Sequence, residues 1–195
     1  MPAHTLPRPP AELAARWTLA QYEQLVETGV LDRRRVELIA GQITRMSPAS
    51  PAHDACVSIV ADYLRERIDR ELVVREEKGI ALPELASMPE PDVVLCDRRA
   101  DLYAERKPTP ADTHLLVEVA LSSLPYDREV KAPLYAAGGV REYWIVDLSG
   151  RRLERYRLAE GADAYGDPDV LAEADTLEHD SLGAVAVADL LPMVG

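Results

Sequence analysis

Apolar positions along this chain follow two different rhythms. In "CVSIVADYL", residues 56–64, they recur at helical spacing: Cys56, Ile59, Val60, Tyr63 and Leu64 share one stripe. Ser50 followed by Pro51 supplies a start signal for that helix. In "DVVLC" (92–96) and "HLLVEVAL" (114–121) the apolar residues run on without a break and are rich in β-branched types. Such runs fit central strands covered on both faces. The polar stretch 98–113 between them, with two prolines, reads as a loop.

The remaining segments fill in around these. "TLAQYEQLVETG" has Thr18 and Gln21 at capping-box spacing and Gly29 as a stop, so it predicts a helix. "RRVELIAGQITRMSP" predicts a hairpin, with strands near 35–39 and 42–46 around Ala40-Gly41. "LVVREEKGIAL" reads as strand, turn, strand. "YDREVKAPLYAAGGV" predicts a helix ending at Gly138-Gly139, starting late or kinking at Pro133. "REYWIVDL", Ser149-Gly150 and "RRLERYRL" form a second hairpin by pattern and turn chemistry. An acidic loop over 159–169 leads to one or two short edge strands and a finish at "VADLLP". No internal repeat is visible. The sum is an α/β (α+β) chain: one domain over 17–195, a mixed curved sheet flanked by helices, behind a flexible Pro-rich segment at 1–16.

Composition narrows the class. With 195 residues, 47% of them hydrophobic, the chain is expected to be globular with one real core. Aromatics are 5% with no Phe, so Leu, Val, Ile and Ala must fill that core. No window is long enough to span a bilayer, and the N-terminus lacks a signal-peptide pattern. The two cysteines, Cys56 and Cys96, lie far apart and suit a reducing cytoplasm as small buried residues. A net charge of −12 argues against a protein that coats nucleic acid nonspecifically. It leaves room for a nucleic-acid enzyme with one basic groove, although each arginine cluster taken alone reads as a solvated face.

Asp92 and Glu118 raise the chemical question, because each carboxylate is set against an aliphatic run. Asp92 follows Pro91 and could simply cap a backbone amide. Glu118 could be paired with an arginine; without a partner it would be costly to bury. On adjacent strands, two carboxylates about 4 Å apart repel by about 4 kcal/mol even at an effective dielectric near 20. A shared proton, an arginine or a divalent cation would offset that, and hard oxygen donors favour Mg²⁺ or Mn²⁺. Lys131 follows on the next helix. It is either a surface lysine paired with Asp127 at i,i+4 or a cation reaching back to the strand ends. Tyr143 and Trp144 could stack on bases, but in a strand they point to opposite faces, and Trp144 reads as packing.

Taken in series, "PEPDVVLCD", "LLVEVALSS", "YDREVKAPLYAAGGVREYWIVDL" and "RRLERYRL" resemble the Uma2 family, a branch of the PD-(D/E)xK nuclease superfamily. "RRVELIAGQITRMSPASPAH" resembles that family's N-terminal hairpin and helix start. The likeness spans roughly 17–192. It implies a restriction-endonuclease-like core with a metal site at its centre, acting on phosphodiester bonds, with DNA as the expected partner, and a cytoplasmic homodimer.

Carried over by motif, Asp92 is the aspartate and Glu118 the acid. Glu37, in "VELIAG", would complete the site, and His53 could stand behind it or face solvent. Ala120 occupies the place where the superfamily pattern has lysine, and Lys131 would supply it from the next helix. "LSSLP" departs from the "LSPST" common after the acid strand. The expected mechanism has Asp92, Glu118 and the Val119 carbonyl on one Mg²⁺ or Mn²⁺, Glu37 assisting, and Lys131 positioning or deprotonating the attacking water. Two other readings stay open: a non-catalytic dimeric scaffold, and a hydrolase of small phosphoesters with a closed pocket.

Overall fold

The structure, a computed structural model, describes residues 15–31 and 35–193. Most of the Pro-rich lead-in, and Arg33 and Arg34 among the basic clusters, lie outside that range.

Six strands form the main sheet in the order β3-β4-β5-β6-β7-β8. They are β3 (Leu72–Glu76), β4 (Val93–Asp97), β5 (Thr113–Ala120), β6 (Glu142–Asp147), β7 (Arg152–Arg157) and β8 (Asp169–Ala172). Only β5 and β6 run parallel; the other neighbours are antiparallel. A parallel pair cannot be joined by a tight turn. The helical run at 124–137 makes that crossover, which brings it over the sheet beside the C-terminal end of β5.

Strand alternation divides the core. Val93, Leu95, Leu115, Val117, Val119, Trp144 and Val146 face one side, with α2 (Pro51–Arg65) and the C-terminal hairpin β9–β10 (Thr176–His179, Gly183–Ala186) packed there. Val94, Cys96, Leu116, Ala120, Tyr143 and Ile145 face the other side, under the crossover helix and the buried segment at 80–82. Trp144 and Tyr143 are thus both fully buried, on opposite faces, and neither is available to stack on a base. Both cysteines are free and buried.

Helix α1 (Leu19–Glu27) begins at Thr18 with the reciprocal Thr18–Gln21 capping box. The hairpin β1–β2 (Val36–Ile39, Gln42–Arg45) turns through Ala40 and Gly41, both at positive φ. Its outer edge is tied to the segment before β4, because Leu38 and Met88 exchange backbone hydrogen bonds of 3.3 and 2.8 Å. That tie carries Glu37 to the end of β4. No helix among the described residues is long and apolar enough to cross a membrane.

Two local expectations fail. The second strand of "LVVREEKGIAL" does not form. Ile80, Ala81 and Leu82 are buried, but their N–H groups donate to three separate loop carbonyls, those of Pro89, Pro108 and Ser87. Burial without a ladder is possible because each backbone donor still finds a partner. The helix at 126–140 is also not one regular helix. A short α3 (Leu124–Tyr126) passes into a π turn over Asp127–Lys131 and then into α4 (Ala132–Ala137). The Ala132 N–H donates to the Asp127 carbonyl, five residues back. Pro133 has no N–H for the carbonyl of residue 129, and its ring would crowd it, so the wider turn sits where a regular α-turn is penalised.

Trp144 is the largest fully buried side chain and contacts the α2 face of the sheet. Trp144→Ala is expected to lower stability by about 3–5 kcal/mol, read as a lowered urea midpoint at unchanged slope.

Candidate active site

The β4–β5 register fixes the two acids first. Val93 pairs with Val117, so one residue further along, Asp92 comes opposite Glu118. Asp92 sits just outside β4, where its own ladder has ended. Its Oδ2 accepts the Val119 N–H at 2.7 Å and lies 3.2 Å from His53 Nε2. Sequence reasoning allowed Asp92 a backbone-capping role, and that bond exists, inside the site. In an extended strand the N–H and C=O of one residue leave on the same side. The Val119 carbonyl therefore also faces the Asp92 end.

Glu118 is on the crossover-helix face of β5, and that helix answers it. Lys131 Nζ donates to Glu118 Oε1 at 2.7 Å, and Tyr135 OH donates to the same oxygen at 2.8 Å. Lys131 also lies 3.6 Å from Glu37 Oε2. The surface-lysine reading is overturned: Lys131 is 5% exposed, and its partners are Glu118 and Glu37. The reading of Glu118 as the partner of an arginine is overturned with it.

Glu37 is held on both oxygens. Tyr126 OH donates to Oε1 and the Glu90 N–H to Oε2, each at 3.3 Å. His53 stands in the first turn of α2, its N–H capped by the Ser50 hydroxyl. Its ring reaches Asp92 on one nitrogen and Asp54 on the other.

Glu37, His53, Asp92, Glu118, Val119, Tyr126 and Lys131 line one cleft of about 310 Å³. Arg35 and Arg45 stand at its rim, as do Ser122 and Ser123 from the loop that departs from the family pattern. Among the described residues no arginine pairs with Glu37, Asp92 or Glu118. Asp127, which sequence reasoning treated only as a partner for Lys131, also lines the cleft, 2% exposed. No sequence signal singles it out, and its placement comes from the π turn, in which Asp127 and Lys131 are buried and 128–130 are exposed.

Electrostatics follow from this crowding. Burial works against the Lys131 charge, but Glu118, Glu37 and Asp127 outweigh it and hold the ammonium above its ordinary range. Burial raises the Glu118 carboxyl well above its ordinary range, and Lys131 pulls it only part of the way back. With two donors on one oxygen we read the pair as carboxylate and ammonium. Burial raises Asp127 to about 6, against the pull of Lys131 and with Asp92 and Glu37 adding to it. The hydrogen bond to Asp92 raises His53, against its desolvation.

The oxygen-rich donor set fits a hard divalent cation. Asp92, Glu118 and the Val119 carbonyl are the groups that would hold it. Among the described residues no three His, Cys, Asp or Glu side chains are already gathered at ligating distance.

The family model Uma2, described as "Putative restriction endonuclease", matches residues 19–190. The chain belongs to the Uma2 family. A solved structure is also similar, that of a "putative nuclease belonging to DUF820" from Anabaena variabilis ATCC 29413. The TM-score is 0.69 at 15% identity, over 89% of this chain and 96% of that one. At that identity the likeness shows a shared nuclease-type fold. No curated protein matches this Uma2 chain.

Lys131→Met leaves Glu118 buried without its counter-charge and is expected to cost about 3–5 kcal/mol in urea unfolding. Adding Glu118→Gln to it should recover part of the loss. Asp127 gives a pH test. Its folded value of about 6 lies above the ordinary 3.8, so its protonated form favours folding. That contribution is full below the unfolded value and is lost as pH rises through about 6. In chelator, Asp127→Asn should flatten the fall in stability across that window.

Proposed function

We propose that this Uma2 protein is a metal-dependent endonuclease that hydrolyses phosphodiester bonds, with DNA as substrate. One observation carries the reading. Glu37, Asp92, Glu118 and Lys131, far apart in sequence, line a single cleft whose rim holds two arginines. A fold kept only as a scaffold has no need to bury these groups together at the cost their desolvation imposes.

In this reading Asp92 and Glu118, with the Val119 carbonyl, hold one Mg²⁺ or Mn²⁺. When bound, the ion supplies Lewis-acid polarisation of the phosphate and lowers the pKa of coordinated water. The chain's own residues do the rest. Asp92 is oriented by the Val119 N–H and by His53, which stands behind it. Tyr135 and Lys131 fix Glu118. Lys131, held protonated by its acids, cannot take a proton from water; it acts as a fixed cation beside the phosphate, where negative charge develops. Glu37 keeps Lys131 in place. Arg35 and Arg45 give the phosphate backbone a positive edge on a chain of net charge −12.

We further propose one catalytic domain over 17–195 acting in the cytoplasm as a homodimer. The family likeness and the two free buried thiols support this.

Supercoiled plasmid incubated with the protein and Mg²⁺ or Mn²⁺ tests the activity. Nicking is expected, abolished by chelator and reduced by at least about 10²-fold in Asp92→Asn and in Glu118→Gln. The −12 charge favours a catalytically silent scaffold as the second reading. That reading predicts no cleavage by any form, or cleavage unaffected by both substitutions.

A further inference from the structure

The π turn carries a second cation that the site above does not use. Arg128 does not line the cleft, and neither does its partner, Glu154. Arg128 Nε donates to Glu154 Oε2 at 2.9 Å and Nη2 donates to Oε1, so the guanidinium grips the carboxylate with both prongs. Tyr156 OH also donates to Oε2, at 3.1 Å. Arg152 Nε lies 3.5 Å from Oε1 but makes no hydrogen bond among the described residues. The Glu154 side chain is 1% exposed, and its neighbours on that face of the sheet are Tyr143, Ile145 and Tyr156. An acid buried there is costly unless a partner is brought to it.

Sheet register relates this pair to the site. Ile145 on β6 stands opposite Glu118 on β5 and opposite Glu154 on β7. The three side chains therefore share a face and form one row across the sheet, under the crossover segment. Two strand spacings, roughly 10 Å, separate the two acids. The π turn supplies one cation to each end of the row, Lys131 to Glu118 and Arg128 to Glu154. In a regular helix, residues three apart share one face. Here one reaches β5 and the other β7, with β6 between them. The middle strand is tied in as well: Tyr143 OH donates to the Asp127 carbonyl at 3.4 Å, the same carbonyl that accepts the Ala132 N–H of the wide turn.

We propose that Arg128 and Glu154 are positioning residues for Lys131: their two-pronged pair on β7 fixes the π turn, and with it the ammonium on Glu118. A turn held at Glu118 alone could pivot about that contact, and a second anchor two strands away removes the pivot. The consequence for cleavage rests on the nuclease reading above; the placement of Lys131 does not.

The chain has three lysines, Lys78, Lys107 and Lys131, of which only Lys131 is buried. Its ammonium is therefore the one sheltered from proton exchange, and heteronuclear NMR of lysine ammonium groups reads it in the full chain without metal or DNA. The sheltered signal is expected in wild type and in Arg106→Gln, which breaks another two-pronged pair, to Asp112, at nearly the same exposure. It is expected to be lost in Arg128→Gln and in Glu154→Gln. Arg128→Lys keeps the charge without the fork and should restore it in part. Single-turnover nicking of plasmid adds a second readout. The rate at saturating protein should fall by up to about 10²-fold in Arg128→Gln and in Glu154→Gln, the scale of a small misplacement near the chemistry, with plasmid affinity unchanged. Combining the two should cost no more than either alone.

A full Lys131 signal in Arg128→Gln overturns the proposal, whatever happens to the urea midpoint. A signal missing from wild type, or lost equally in Arg106→Gln, does the same. A fall in plasmid affinity confined to Arg128→Gln, with the saturated rate intact, makes the arginine a phosphate contact and also overturns it. If Arg128→Gln fails to fold, a full signal in both Arg128→Lys and Glu154→Gln is the overturning result. Wild type that nicks no DNA contradicts the nuclease reading, and the ammonium signal then decides the proposal by itself.

Discussion

Lys131 is the hinge of the site's electrostatics. One ammonium lies 2.7 Å from Glu118 and 3.6 Å from Glu37, on a turn that also carries Asp127. Buried acids of like charge would push their region open, and a single counter-ion brought in from the crossover helix holds them. The parallel β5–β6 pair makes this possible, because only a crossover connection passes back over the strand that bears Glu118. The topology and the chemistry are linked at this point.

The same constraint explains the supporting cast. Tyr135 adds a second donor to Glu118, and Tyr126 and the Glu90 N–H satisfy Glu37. His53 reaches Asp92 because Ser50 and Pro51 start α2 at the cleft mouth. Each donor lowers the cost of a desolvated oxygen. Arg35 and Arg45 stand at the rim of the cleft and pair with none of these acids. In the proposed reaction Lys131, held in its charged form, holds and orients and does not accept a proton.

Much of this was legible in the chain. "DVVLC" and "HLLVEVAL" gave away the central strands through their unbroken apolar runs, and Thr18 with Gln21 marked the first helix. Asp92 and Glu118 stood out because acids are expensive in such runs. What escaped notice depended on tertiary context. "GIAL" has a strand's composition, yet its donors are met by loop carbonyls that no local pattern reveals. Asp127 looked only like an i,i+4 partner for Lys131, and the fold turns it inward beside the lysine that the family likeness had already named. Pro133 hinted at an irregular helix without saying that the irregularity would be a wide turn. Tyr135 and Tyr126 carried no sequence signal, since a tyrosine on a helix reads as packing. The family likeness supplied Glu37 and His53, which periodicity alone did not single out.

The account stands on a cation being seated between Asp92 and Glu118. Crystals grown with Mn²⁺ and measured at the manganese absorption edge test that directly. The account predicts one anomalous peak in the cleft, beside Asp92, Glu118 and the Val119 carbonyl, with Lys131 still on Glu118. A cleft without a peak at saturating Mn²⁺, or a peak only elsewhere on the protein, would contradict it.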